Sequence, residues 1–397
     1  MVQCGACAGT LFGPFFRANE ASISGLYLAA PVIPSEPATI SLEYCKTCGL
    51  IRQVTGQTIR LNYDRIVRGT AQQLPSYTAD ILSTLTEFEV RPDDFILEVG
   101  ANDGTFLREL RSRGYRNLLG VEPSKQLADI SRESGLDIWD TYFDRRTAAE
   151  IRTTRGPARA VICRHTLEHV PDIFELTKGI AEVLSETGLS LVEVPDTDWV
   201  VTNLFAHELW DEHISYLRPR SLSKLIENCG LKPIRLERIR FRDTRNLLCW
   251  STPAPAPAPA STTSYLVDDE ASFEDLERFQ GRWDAFSERL RSVVNAGPKP
   301  VVGIGASHIQ LNFLNFTGLG ASVDMLIDDD KSKAEHFAPL AKPTPIRSTA
   351  EILATVRSGT LLRTAFPYPD WEDRIEEALR IQGVRSIKPY DILRSLQ

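Results

Sequence analysis

Four cysteines stand in two close pairs, Cys4/Cys7 and Cys45/Cys48, each with two residues between them. Thiolates so spaced face each other across a tight turn, and four soft thiolates suit tetrahedral Zn2+. With every position filled by protein, such a site is structural, and its loss is expected to lower stability without a specific kinetic change. Gly5 lies inside the first turn and Gly49 follows the second, where a knuckle calls for unusual backbone angles. Far along the chain, in ELWDEHISYLRPRSLSKLIENCGL, Glu212 and His213 are adjacent and Tyr216 follows. An imidazole beside a carboxylate makes a good general base near neutral pH.

A third cluster has the character of a cofactor loop. In FILEVGANDGTFLREL, an apolar run ends at Glu98-Val99-Gly100, and Ala101-Asn102-Asp103-Gly104 leads into an amphipathic stretch. Gly100 and Gly104 let backbone approach a ligand at the carboxyl end of a strand. The next run, NLLGVEPS, ends at Glu122-Pro123. An acid about 20 residues past the glycine loop is placed to bind ribose hydroxyls. These features suit NAD as well as S-adenosylmethionine. The spacing E-x-G-x-N-x-G, with fewer glycines than a pyrophosphate cradle needs, favours the methyl donor, as does the later VICRHTLEHVPD, whose L-E-H-V is common in methyltransferases. Candidate cofactor contacts are therefore Glu98, Gly100, Asn102, Asp103, Gly104, Glu122, Pro123 and His165. His169 either shares this site or only caps the following segment.

Composition narrows the partners. The chain has 397 residues, 42% hydrophobic and 25% charged, with a formal net charge of −8. That balance disfavours nucleic acid and anionic membranes, which need a basic field, and leaves a small-molecule acceptor. The start, MVQCGACAGT, lacks the features of a signal peptide, and no run of about 18 apolar residues occurs, so a cytoplasmic location is expected. Cys163, Cys229 and Cys249 fall in apolar segments as small buried filler.

The elements that must position these residues form four regions. Residues 1–60 hold both cysteine pairs in β-prone sequence and predict a zinc-binding β module. Residues 61–92 predict a helical connector. Residues 93–250 alternate apolar runs (FILEVG, NLLGVEP, RAVICRH, LSLVEVP, PIRLERIRF) with amphipathic stretches, which predicts an α/β domain on a doubly wound, Rossmann-like sheet. STPAPAPAPASTT, residues 251–263, predicts an extended linker. Residues 264–397 open with a long polar helix, about 268–296, and then predict a smaller α/β domain. There VVGIGASHIQLNFLN is another strand, glycine turn and helix. Gly303, Gly305, Ala306 and Ser307 are candidates for holding a phosphorylated substrate, Asp328 for touching a ribose, and the competing reading is a domain that packs and covers the active site. Asp329 and Asp330 are expected to form a solvated turn.

Taken together, C-x2-C twice, LEVGANDGTFL, GVEPS, EHISY and GIGAS with LIDDDKSK resemble the C-methyltransferases of deoxysugar biosynthesis nearly end to end. The resemblance implies a class I methyltransferase acting on a nucleotide-linked keto sugar. A His would remove the proton beside the ketone, and the enolate would attack the donor methyl. His213 matches that base, Glu212 its neighbour, and Tyr63 an active-site tyrosine; Tyr216 or Asn102 would supply a nearby hydrogen bond. The sequence departs from the family at Trp210-Asp211, at Arg65, in RDTRNLLCW and at Ser307-His308-Ile309, all near the expected substrate. A different acceptor, an O- or N-methylation, or a binding protein with a retired domain are the rival readings.

Overall fold

Three sheets carry the chain in a computed structural model that describes residues 3–21, 26–31, 38–54, 74–241, 244–254, 265–333, 335–363 and 369–395. The first is an antiparallel meander of β1 (Phe12–Ala21), β2 (Ala38–Cys45) and β3 (Ile51–Gln53). Tyr63, Arg65 and most of the expected linker lie outside the described residues.

The second sheet contains β4 (Ile96–Val99), β5 (Leu118–Val121), β6 (Ile138–Trp139), β7 (Ala158–Arg164) and β8 (Leu184–Pro195). After β9 (Ser215–Tyr216) it adds β10 (Leu231–Phe241), β11 (Thr244–Pro253) and β12 (Tyr265–Leu266). Its order is β12-β10-β11-β8-β7-β4-β5-β6. All of β4 is buried, as expected of a strand covered on both faces. The chain runs from β4 outward to β6 and returns to β7 on the other flank of β4. Strand order therefore reverses between β4 and β7, and a ligand crevice belongs at their carboxyl ends. β11 runs antiparallel between β8 and β10 and was not foreseen. It reaches Pro253, so the first residues of the expected linker are strand.

The third sheet has β13 (Val301–Ile304), β14 (Met325–Ile327), β15 (Phe337–Pro339), β16 (Pro343–Arg347), β17 (Gly359–Leu362) and β18 (Val384–Ile387). Its order, β15-β16-β14-β13-β17-β18, again reverses beside its first strand. The mixed α/β, Rossmann-like fold class expected from the alternation of apolar runs is thus what the chain adopts. Ahead of this sheet the helix Phe273–Asn295 is opened by Ser272 and Asp275 in a capping box.

The first sheet has no private core. Phe15, Phe16, Ile40 and Tyr44 are buried in one cluster with Phe279 and Trp283 of the long helix and Phe313 beyond it. Cys4, Cys45, Cys48 and Leu50 are buried with Ile173, Leu222 and Leu225 of the second sheet's helices. The most consequential join is β9, which lies between the second sheet's strands in sequence but pairs with β3: Ile51 faces Tyr216 and Arg52 faces Ser215. Among the described residues no helix is long and apolar enough to cross a membrane.

Candidate active site

The glycine loop forms where expected, and its side chains are held locally. Gly100 and Gly104 have φ of 75° and 74°, and Asn102 shares the left-handed region at 51°. A Cβ on Gly100 would meet Thr166 Oγ1 at 2.0 Å, so this glycine is demanded by packing as well as by its angle. Glu122 accepts from the Asn102 N–H at 2.9 Å and the Ser124 N–H at 2.8 Å. Its carboxylate oxygens each keep a second lone pair for a hydroxyl donor, and Pro123 beside it is half-buried. Asp103 accepts from the backbone and hydroxyl of Thr105 and so opens the next helix. Asn102 Oδ1 accepts from the Asp103 N–H.

Glu98 lies inside the sheet, and its Oε2 has no hydrogen-bond partner. Burial pushes its carboxyl up to about 8, against the attraction of Arg164 and with help from Glu122 and Asp103. The folded state therefore holds this proton more tightly than the unfolded chain, whose ordinary value is 4.5. Stability from this group is present below the ordinary value and drains away as pH rises towards about 8. Glu98→Gln should remove that slope, so its melting temperature relative to the parent rises from pH 5 to pH 8 by an amount worth on the order of a few kcal/mol. Parallel melting curves at the two pH values would count against it.

His165 follows β7. Burial opposes its charge, but Glu193 and Glu168 outweigh this and hold the imidazole up to about 10. Its Nε2 lies 3.1 Å from Glu193 and its Nδ1 3.3 Å from Glu168. Tyr77 donates to Glu193, Asn246 Nδ2 donates to Glu193 at 2.9 Å, and Arg164 Nε donates to it at 2.5 Å. His165, its side chain 42% exposed, thus sits between two carboxylates that favour its protonated form.

His213 is buried at the carboxyl ends of β7 and β8, where a small cavity is lined by Glu168, Val194, Thr197, His213 and Tyr216. Burial, then the nearby His169, His165 and His308, hold it well below the usual imidazole range, which leaves a free lone pair at neutral pH. Its ring meets those of His169 at 4.7 Å, Trp210 at 4.5 Å and Tyr216 at 5.7 Å between centroids. Glu168, not Glu212, is the carboxylate drawn to it. Ligand-type atoms of Glu168, His169 and His213 all lie within 4.8 Å of one another, and Glu168 Oε2 is buried without a partner. Burial, then Asp211, pushes Glu212 up to about 7. Tyr216 spends its hydroxyl on the backbone, accepting from the Trp210 N–H at 2.9 Å and donating to Trp210 O at 3.1 Å. His169 does more than cap a segment: its Nδ1 lies 3.0 Å from Glu212 O.

The four cysteines converge. Cys4 and Cys48 Sγ are 3.6 Å apart, as are Cys7 and Cys45, and all four sulfurs lie within 4.8 Å. A tetrahedron with Zn–S of about 2.3 Å has edges of about 3.8 Å, so the cradle fits the ion. Gly49 takes the positive angle expected of it, φ 77°, but in the first knuckle that position falls to Ala8 at 58°. Gly5 is needed for a different reason: a Cβ there would press Ile173 at 3.1 Å. Cys163, Cys229 and Cys249 are fully buried.

In the third sheet, Gly303 packs against Leu326, and Ser307 caps the helix His308–Phe316. Asp328 accepts from the Ala306 N–H at 2.9 Å and from Lys333 Nζ at 2.8 Å. Of these candidates Gly305, at φ 80°, borders open space. The same helix reaches the turn that carries His213: His308 stacks on Trp210 at 4.2 Å. Asp329 is no free turn residue, since it accepts from Thr349 and Trp371. Glu168, Gln53 and Asn246 were not foreseen as site residues. Glu168 stood in plain view within L-E-H-V, whereas Gln53 gave no local signal.

Residues 71–236 match a family model described as a methyltransferase domain. The chain is similar to the C-methyltransferase NovU of Streptomyces niveus, 29% identical over 198 residues, which are 49% of this chain and 47% of that protein. It thus spans about half the length of that curated relative. Among solved structures, a magnesium protoporphyrin IX methyltransferase of Synechocystis PCC 6803 with bound SAM aligns with TM-score 0.35 and 11% identity over 45% of this chain and 78% of its own. A S-adenosylmethionine-dependent methyltransferase of Clostridium acetobutylicum ATCC 824 aligns with TM-score 0.37 and 12% identity over 48% and 95%. The chain carries a class I S-adenosylmethionine-dependent methyltransferase domain.

Proposed function

From that domain we propose that the chain methylates a carbon beside the ketone of a small acceptor of the nucleotide-linked keto-sugar class, with His213 as general base. The observation that carries this reading is a buried, neutral imidazole beside a carboxylate, that of Glu168, with one oxygen on His165 and the other without a partner, at the switch-point crevice. The bound donor supplies an electrophilic methyl on a sulfonium. The proton passes from the acceptor carbon to the imidazole nitrogen, and the carbon forms the new bond to methyl as the sulfur–carbon pair returns to sulfur. Glu168 faces the imidazolium that results, and Trp210, Tyr216 and the cavity wall keep water from the carbanion. In this reading Glu122 takes the hydroxyls of the donor ribose, and the turn at Gly305 takes the nucleotide of the acceptor. A homologue that is a C-methyltransferase supports carbon as the target.

Mass spectrometry with labelled donor and a panel of nucleotide-linked keto sugars tests this. A labelled methyl on carbon is expected; label on oxygen or nitrogen alone, or no transfer across the panel, would overturn it. The cysteine cradle is proposed to hold one structural zinc. Cys4→Ser with Cys45→Ser should abolish bound zinc and lower the melting temperature by several degrees, measured by elemental analysis and calorimetry.

A further inference from the structure

The carbonyls of residues 210–214 form the turn that carries His213, and one residue of another sheet holds four of the five. Gln53 Nε2 donates to Asp211 O and His213 O at 2.9 Å each and to Trp210 O at 3.3 Å. Its backbone N–H donates to Ile214 O at 2.9 Å. The fifth carbonyl, Glu212 O, faces His169. A primary amide has two hydrogens, so three acceptors share them. Removing that amide strips three carbonyls of a donor at once.

The amide is placed by a short run of chain. β2 ends at Cys45, the Gly49 N–H donates to Cys45 O, and β3 then pairs with β9. Thus residues 45–53 carry two thiolates at one end and the clamp at the other. The module also packs close behind the turn. Arg218, fully buried and bonded to Asp198, passes so close to Gly49 that a Cβ there would sit 2.6 Å from its Nη1. Gln53 thus holds the 210–214 turn, and Gly49 of the same module packs close against Arg218 behind it.

We infer that Gln53 is a positioning residue: through it the four-cysteine module sets the orientation of the His213 ring in the crevice. The inference rests on the reading of His213 as base. It departs from the expectation that the module affects stability alone.

Gln53→Met removes the donors at similar volume, Gln53→Asn draws the amide back by one methylene, and Gln53→Lys restores N–H donors. Each variant is compared with the parent for zinc content, donor affinity, kcat and KM, and the ring resonances of carbon-labelled histidine. Six histidines keep the spectrum tractable. The Met and Asn variants should keep zinc and donor affinity, lower kcat by up to about 10²-fold with little change in KM, and shift the signals of His213 and His169 but not that of His336. The Lys variant should recover part of the rate. Unmoved His213 signals with an unchanged rate in both the Met and Asn variants would overturn the inference. Shifted His213 signals with an unchanged rate would support the clamp and instead remove His213 as base.

Discussion

His213→Ala is expected to lower kcat by about 10²–10⁴-fold while S-adenosylmethionine affinity stays within about twofold of the parent. The imidazole is buried, neutral and beside the small cavity, whereas the glycine loop lies across Thr166 on the far side of β7. Losing the ring removes the proton acceptor and leaves the donor's cradle untouched. Glu168→Gln should fall less, by about tenfold, because a carboxylate that faces the imidazolium stabilises it without taking the proton. Single-turnover rates and calorimetry with the donor check both. Full activity in His213→Ala would remove it as base.

Gly100→Ala is expected to cost about 2–4 kcal/mol of stability and to weaken donor binding at least tenfold. Two separate penalties coincide there. The backbone is left-handed at φ 75°, and the added carbon would lie 2.0 Å from Thr166 Oγ1. A second change, Thr166→Gly, relieves the collision but not the angle, so it should restore part of the loss and no more. Thermal melting and donor titration of the single and double variants measure the two parts. Unchanged donor affinity in Gly100→Ala would end the assignment of this loop to the cofactor.

Much of this was legible because it is local. Glu98, Gly100, Gly104 and Glu122 are close in sequence and dictated by strand, turn and strand. The C-x2-C pairs bring two thiolates together each, whatever the rest of the fold does. What could not be read depends on sheet pairing across long separations. β9 is two residues long and carries no periodicity, so nothing in its sequence announces β3 as its partner. Gln53 is 160 residues from the carbonyl of His213 that it holds. Glu212 looked like the partner of His213 by adjacency, yet neighbours in a turn point apart, and the nearby carboxylate came from Glu168 after β7. Asn246 sits in the unforeseen β11 and reaches Glu193 only because that strand inserts beside β8.

The most direct measurement is a structure of the complex with S-adenosylhomocysteine. The ribose hydroxyls should lie on Glu122 and the sulfur above the bend from Gly100 to Gly104, with the imidazole of His213 across the gap left for the acceptor carbon. An adenosine seated elsewhere, or a His213 ring facing away from the sulfur, would contradict the account.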